Sequence, residues 1–421
     1  MDGVSIMNKE NTMKTITKRI LSIMLTTLII ALLLPQNVSI ANAASSTAVY
    51  EYLPMLEDRG SIYYIQRIDD TEYSNDIYRL EIATGNKTRL LSSKNDILDM
   101  MIHNDTLCYT CYTGGDVYKT YSVSIDAKDK KTICNGYLMY LDDSNIYYTV
   151  TKGEESKLYK KDYSSKKATL VFTGNISFRF VKNLEDTLFF TEYQEASSKL
   201  TLYTLKPEQT KLTVLTTNKI PLNGSERTFP MISDIIKING DFYYQYGTEE
   251  GTGNYWYGTL VKLNTTTNKK SVIVKQLYEE KIYHYGSIIF YNDTDSSDKH
   301  YRYNTKTNKT SSYIYKTTGT ESFNILGNKT YCAKTDGTES IVVSRFTSGT
   351  NKENLVESFI RIPYKQKKEF EYSASVKEYG NYLLIPVTCM DYNANNGWRG
   401  RCVSVTWYVA DSDGKILAQF Q

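Results

Sequence analysis

Apolar and polar positions alternate along most of this chain in short runs broken by Asn, Gly, Asp and Ser, a pattern that predicts β-strands joined by tight turns. One kind of run recurs. Ile62-Tyr63-Tyr64-Ile65, Leu107-Cys108-Tyr109-Thr110, Ile146-Tyr147-Tyr148-Thr149, Leu188-Phe189-Phe190-Thr191 and Phe242-Tyr243-Tyr244-Gln245 are followed by weaker copies at Ile288-Ile289-Phe290-Tyr291, Thr330-Tyr331-Cys332-Ala333 and Leu383-Leu384-Ile385-Pro386. The mean spacing of these copies is about 46 residues, close to the length of one propeller blade. A second alternating run follows each copy, as in Ile77 to Ile82, Leu158 to Lys161, Leu200 to Tyr203 and Leu260 to Leu263. Then come similar turns, Ala83-Thr84-Gly85-Asn86-Lys87, Asn264 to Lys270 and Asn304 to Lys309, whose Asn and Gly supply positive φ, and then a third run. A fourth precedes each copy, for instance Ile97 to Ile102, Tyr137 to Leu141 and Ile232 to Ile238.

Four antiparallel strands per period predict an all-β chain folded as a β-propeller of eight four-stranded blades, with seven as the alternative count. An extended β array or two sandwiches would also be periodic. Ring closure would set a first strand near residues 48–53 against the last blade near residues 415–420.

Ahead of the repeats, Lys14, Lys18 and Arg19 precede an apolar run from Ile20 to Leu34 and then Ala41-Asn42-Ala43. This is the layout of a secretory signal peptide, with cleavage expected after Ala43 and an uncleaved N-terminal anchor as the alternative. Residues 44–421 would then form a single propeller domain, secreted or held noncovalently at the cell surface, with no membrane segment left after cleavage. Removing residues 1–43 leaves 46 basic against 45 acidic side chains, so no field of one sign invites nucleic acid. Tyrosine, at 38 of 421 residues, is the unusual entry in the composition, and it suits strands whose rings lie on a pleated surface while their hydroxyls reach water.

The block IYYIQRIDDTEYSNDIYRLEIATGNKTRLL, residues 62–91, resembles the secreted bacterial β-propellers of a domain family of unknown function, itself similar to the propeller of low-density-lipoprotein-receptor-related proteins. The resemblance implies a propeller and a binding role, and it transfers no catalytic residue. The receptor propellers repeat Tyr-Trp-Thr-Asp, whereas Tyr148-Thr149 and Phe190-Thr191 lack the Trp and the Asp.

No Gly-x-Ser-x-Gly elbow, His-Glu-x-x-His pair, phosphate loop or Gly-x-Gly-x-x-Gly turn occurs. His284, His300 and Asp298 are a candidate metal set, but no spacing fixes a third ligand, and no metal or cofactor is expected. The acidic run Asn292 to Asp298 lacks the Gly and Glu of a calcium loop, and Asp411-Ser412-Asp413-Gly414 is a hairpin turn. Cys108 and Cys111 should point to opposite faces of one strand. If residues 391–400 join two strands, Cys389 faces Cys402 across the ladder and the two can form a disulfide, or remain as reduced strand cysteines.

Two second-to-third-strand loops are long and aromatic, residues 246–257 and 391–400. Tyr246, Tyr255, Trp256, Tyr392, Trp398 and Arg399 are therefore the expected ligand-binding set, rings for stacking beside a guanidinium, with packing between blades as their other use. The expectation from sequence is a secreted noncatalytic propeller that recognises an extracellular protein or glycan. The alternatives are a structural surface scaffold and a carbohydrate-active enzyme with carboxylates at the channel mouth, drawn from Asp99, Asp234, Glu279, Glu321 and Glu371.

Overall fold

The structure, a computed structural model, describes residues 55–421 apart from 68–74, 116, 164–166, 221–227, 251–254, 278–281, 293–298, 315–321, 327–328, 336–339, 348–353, 365–369 and 392–400. The described residues form eight antiparallel sheets, each contiguous in sequence. Blades 1 to 8 are residues 55–93, 97–134, 137–175, 179–219, 228–277, 283–314, 322–363 and 370–420. Strands follow one another from the first, at the centre of the ring, to the fourth, at the rim; in blade 8 the inner strand is two pieces, Phe370–Ala374 and Lys377–Tyr379, both paired with Tyr382–Asp391. The fold is an eight-bladed β-propeller. Among the described residues the single helical element is a short 3-10 turn, Glu195–Ser197, and no helix is long and apolar enough to cross a membrane.

The aromatic doublets hold the ring together by simple alternation. Successive strand residues point to opposite sheet faces, so the two rings of a doublet enter two different interfaces. Tyr63 packs between blades 1 and 2 while Tyr64 packs between blades 1 and 8. Phe189 and Phe190 divide in the same way between blades 5 and 3, and Tyr243 and Tyr244 between blades 6 and 4. Cys108 and Cys111 also divide, facing blades 3 and 1 as expected. Across the second and third strands, tyrosines sit in direct register: Tyr64 opposite Tyr78, Tyr109 opposite Tyr121, Tyr148 opposite Tyr159 and Tyr291 opposite Tyr301. Their rings stack at 5.7, 5.5, 5.5 and 5.3 Å, and Lys87 and Lys130 lay ammonium groups over the first two pairs. Tyr63, Tyr64, Tyr109, Tyr147, Tyr243 and Tyr244 are almost wholly buried, so the expectation that tyrosine hydroxyls reach water is corrected for these six.

Bulges at both edges were not legible in the sequence. In the fourth strands of blades 1, 2, 3, 4, 5 and 8 lie residues extra to the ladder, Leu90, Ile133, Val171, Leu215, Ile273 and Leu417, and blade 5 shifts register a second time before Leu277. Each extra residue packs into an interblade cluster, and each bulge breaks the flat edge that would otherwise template pairing with another chain. The first strands of blades 2 to 5 carry their own bulges at Leu98, Met139, Val181 and Ser233.

The ring closes through sheet faces, with first and last blades each complete in themselves. Met55, Ile62, Tyr64, Leu80 and Ile82 of blade 1 form one buried cluster with Leu384, Val405, Trp407, Val409, Ala418 and Phe420 of blade 8. Tyr64 stacks on Phe420 at 4.4 Å. Glu57 lies over Gly380, where φ is +58° and a Cβ would come within 2.0 Å of the carboxylate. Residues 48–53, expected at this seam, lie outside the described residues. Around one end of the ring, turn residues also link neighbours: Arg59 to Asp105, His103 and Asn104 to Asp143 at 2.8 and 3.1 Å, Asn183 to the Tyr140 hydroxyl at 2.6 Å, Lys237 to Glu185 and Asn239 to Ser287 at 3.4 Å.

Phe420→Ala should lower unfolding stability by about 3 kcal/mol, the usual cost of emptying a buried aromatic site. Tyr285→Ala, at a ring 52 % exposed, should change it by less than about 0.5 kcal/mol. Urea titrations of both variants check the difference.

Candidate functional site

The inner-strand bulges set two carboxylates at the same repeat position. Asp99 follows the bulge at Leu98 and pairs with Thr110; Asp234 follows the bulge at Ser233 and pairs with Gln245. Each accepts the amide of the next residue on Oδ1, Met100 at 2.8 Å and Ile235 at 2.8 Å. Beyond that the two differ. Asp234 accepts the Ile282 amide of the next blade on Oδ2 at 2.9 Å and the Lys182 ammonium of the preceding blade on Oδ1 at 2.8 Å. It is a structural clamp across three blades. Among the described residues Asp99 accepts only the Tyr137 hydroxyl on Oδ2, at 3.2 Å, and burial pushes its pKa above the usual carboxylate range. Burial and the neighbouring Asp99 push the Tyr137 phenol up as well.

Asp99 lines a cavity of about 420 Å³ between blades 2, 3 and 4. It opens at the end of the ring that carries the blade linkers, with Gly153 from a second-to-third-strand turn and Ile176 and Phe178 from the linker ahead of blade 4. Tyr118, Tyr137, Phe178 and Phe180 supply rings, Met101 and Met139 supply adaptable apolar surface, and Thr149, Thr151 and Ser156 supply hydroxyls. Arg179 brings a guanidinium that acts on Tyr137. Among the described residues the lining thus combines one acid, one base and apolar walls, with no second carboxylate to act with Asp99 as a glycosidase pair. Two other cavities offer less. A groove of about 600 Å³ at blades 5 and 6 has its partly buried lysines engaged, Lys262 by Asp241 at 3.0 Å and Lys270 by the Thr217 carbonyl at 2.5 Å. A recess of about 220 Å³ near Asp142, Asp143 and Asp186 is an acidic turn surface.

Of the six residues expected from sequence to bind a ligand, three, Tyr246, Tyr255 and Trp256, fall within the described residues. Residues 246–257 are mostly an extended hairpin, Asp241–Glu250 paired with Tyr255–Leu263, so the expected long loop shrinks to residues 251–254. Tyr246 is half-buried against the cluster of blades 4 and 5, with its ring 6.2 Å from Tyr244. Tyr255 and Trp256 are strand residues opposite Glu250 and Glu249. Tyr392, Trp398 and Arg399 lie outside the described residues, as do Glu279, Glu321 and Asp298. Glu371 is exposed on an inner strand, and His284 and His300 pair with Ile289 and Asn292. Among the described residues no His, Cys, Asp and Glu group is placed to hold a metal ion.

Cys389 and Cys402 are not joined by a disulfide. The facing register is corrected: Asp391 stands opposite Arg401 and Met390 opposite Cys402, one position from the expected pairing, and a bulge at Val403 then sets Cys389 opposite Ser404. Sequence reasoning missed Tyr137, Phe178, Arg179 and Phe180. The available signal was the repeated Ile-x-Asp at 97–99 and 232–234, of which only the second has a lysine at the matching place one blade earlier.

No family model matches the chain, and no curated protein matches it. Among solved structures it is similar to a prolyl endopeptidase from a study of two such enzymes and the role of inter-domain dynamics in their catalysis and specificity, at TM-score 0.49 and 11% identity over 83% of this chain and 55% of that one. Prolyl oligopeptidase B from Galerina marginata gives 0.46 and 11% over 81% and 55%, and a post-proline cleaving enzyme from Rickettsia typhi gives 0.42 and 13% over 86% and 58%. The chain spans little more than half the length of these enzymes. The expected noncatalytic binder is corrected here: the solved proteins similar to this chain in fold are peptide-cleaving enzymes.

Because the folded state raises the Asp99 pKa, its ionised form is disfavoured by folding, and the cost is fully present above the raised value and disappears below the ordinary carboxylate range. Asp99→Asn should therefore raise the melting temperature at pH 7 to 8, with the gain vanishing towards pH 3. Asp234→Asn should lower stability by about 1 to 3 kcal/mol, since Lys182 and the Ile282 amide lose a charged acceptor. Thermal melts across pH check both.

Proposed function

We propose that this propeller serves peptide processing, its cavity between blades 2, 3 and 4 receiving a segment of peptide chain. The observation that carries the reading is the lining, in which Asp99 and Arg179 flank Tyr118, Tyr137, Phe178 and Phe180. A peptide offers amides to hydroxyls and carboxyls, a carbonyl or carboxylate to a guanidinium, and side chains to aromatic walls. Likeness of fold assigns no activity at 11 to 13% identity, so the neighbouring enzymes contribute only the choice of probe, peptides that contain proline.

Labelled proline-containing peptides should bind the purified chain, and Arg179→Ala and Phe178→Ala should each weaken binding about tenfold, worth about 1.4 kcal/mol. Absence of binding across a diverse peptide set, or unchanged affinity in both variants, would discard the reading. Fluorescence anisotropy measures it, and mass spectrometry of the same peptides reports any cleavage.

We also infer that residues 1–43 direct export, from the basic, apolar and small-residue succession that ends at Ala43. The likeness of residues 62–91 to secreted bacterial propellers belongs to the same proposal. The expected N-terminus of the exported chain is Ala44, read by mass spectrometry of the culture medium; a chain retained in cells with residues 20–34 intact would count against it.

A further inference from the structure

We propose that Asp99 binds a cationic group of the cavity's ligand, a primary ammonium or a guanidinium, at the place where the same repeat position three blades on is served by Lys182. For the ligand's being a peptide, this rests on the reading above; the cation site itself is argued from the ring alone.

The ladders fix the equivalence. Lys182 pairs with Phe189 in blade 4, one blade before Asp234, and the residue paired with Tyr63 in blade 1, one blade before Asp99, is Leu56. Phe189 and Tyr63 are the same position of the aromatic strand, the second residue of Leu188-Phe189-Phe190 and of Ile62-Tyr63-Tyr64. Leu56 therefore occupies the seat from which a lysine would reach Asp99, and it packs instead into the apolar cluster of blades 1 and 2. Asp234 has its internal counter-ion at 2.8 Å, whereas the hydrogen bonds of Asp99 come from one amide and one phenol. A half-buried carboxylate with neutral donors alone gains more from a cation than one already neutralised. Asp99 also lines open volume, where a group brought by a ligand can reach it. Arg179, the other charged lining residue, requires that the same ligand present a carboxylate or carbonyl away from its cation, which a peptide does.

Isothermal titration of the full chain with matched peptides tests this, each pair differing by arginine against citrulline or lysine against norleucine, together with agmatine and butylammonium alone. The cationic member should bind at least about tenfold more tightly, and Asp99→Asn should abolish the preference. Leu56→Lys, which installs the missing internal ammonium, should abolish it too while Asp99 stays in place. Leu56→Lys gives up an apolar contact, so thermal melting first shows that the variant folds, and the Asp99→Asn arm decides the matter on its own if it does not. Equal binding of both members by the wild type, or a preference that survives Asp99→Asn, overturns the cation site and leaves the peptide reading standing. If no peptide binds yet agmatine binds and is lost in Asp99→Asn, the peptide reading falls and the cation site holds. If neither peptides nor amines bind, both fall.

Discussion

Apolar contact between complete blades is the constraint on which this ring depends. Among the described residues no blade borrows a strand from another, so no backbone ladder crosses a seam there, and each interface stands on side-chain burial and on a few turn-to-turn links. Those links are mostly exposed ion pairs and hydrogen bonds of small individual worth. The clusters are different in kind: a fully buried large aromatic side chain removes enough apolar surface from water to contribute about 2 to 3 kcal/mol. The seam of blades 1 and 8 is where this matters most, because the chain does not continue across it. Tyr64, Trp407 and Phe420 are concentrated there, and Gly380 lets the Glu57 side chain lie close to the backbone of the last blade.

Much of the fold was legible in the sequence, for a clear reason. A repeat that must bury both faces of every sheet needs apolar side chains at consecutive positions, and doublets such as Tyr63-Tyr64 and Phe189-Phe190 announce that need in plain view. Period and strand number followed. Bulges did not, because an extra residue such as Leu90 or Val171 looks like one more apolar strand position until its partner strand is known. The same ignorance displaced Cys389 from Cys402 by one position and turned most of residues 246–257 from an imagined loop into a hairpin.

The candidate site was less legible because it arises from a difference between copies. Asp99 and Asp234 carry the same local signature, and each alone reads as an acid near the start of a strand. Only the ladder shows that one is consumed by Lys182 and the Ile282 amide and the other is not. A ring of near-identical units thus acquires individuality by omission: a leucine at 56 where a lysine stands at 182 leaves one carboxylate free to serve something else. Tyr137 and Arg179 gave no comparable hint, since Tyr283 and Phe370 also open inner strands and a lone base at a strand start belongs to no pattern in the sequence.

Contiguous blades closed face to face also impose an order on biosynthesis. A chain leaving the ribosome N-terminus first can form each blade as soon as its own four strands have emerged, and each new blade finds a finished neighbour waiting. Blade 1 is the exception. The face that carries Tyr64 and Ile62 must wait, bare and apolar, until Phe420 has been added more than 300 residues later. Until the last blade arrives, the growing ring carries one sticky side, and the time needed to complete the chain sets how long that side stays uncovered.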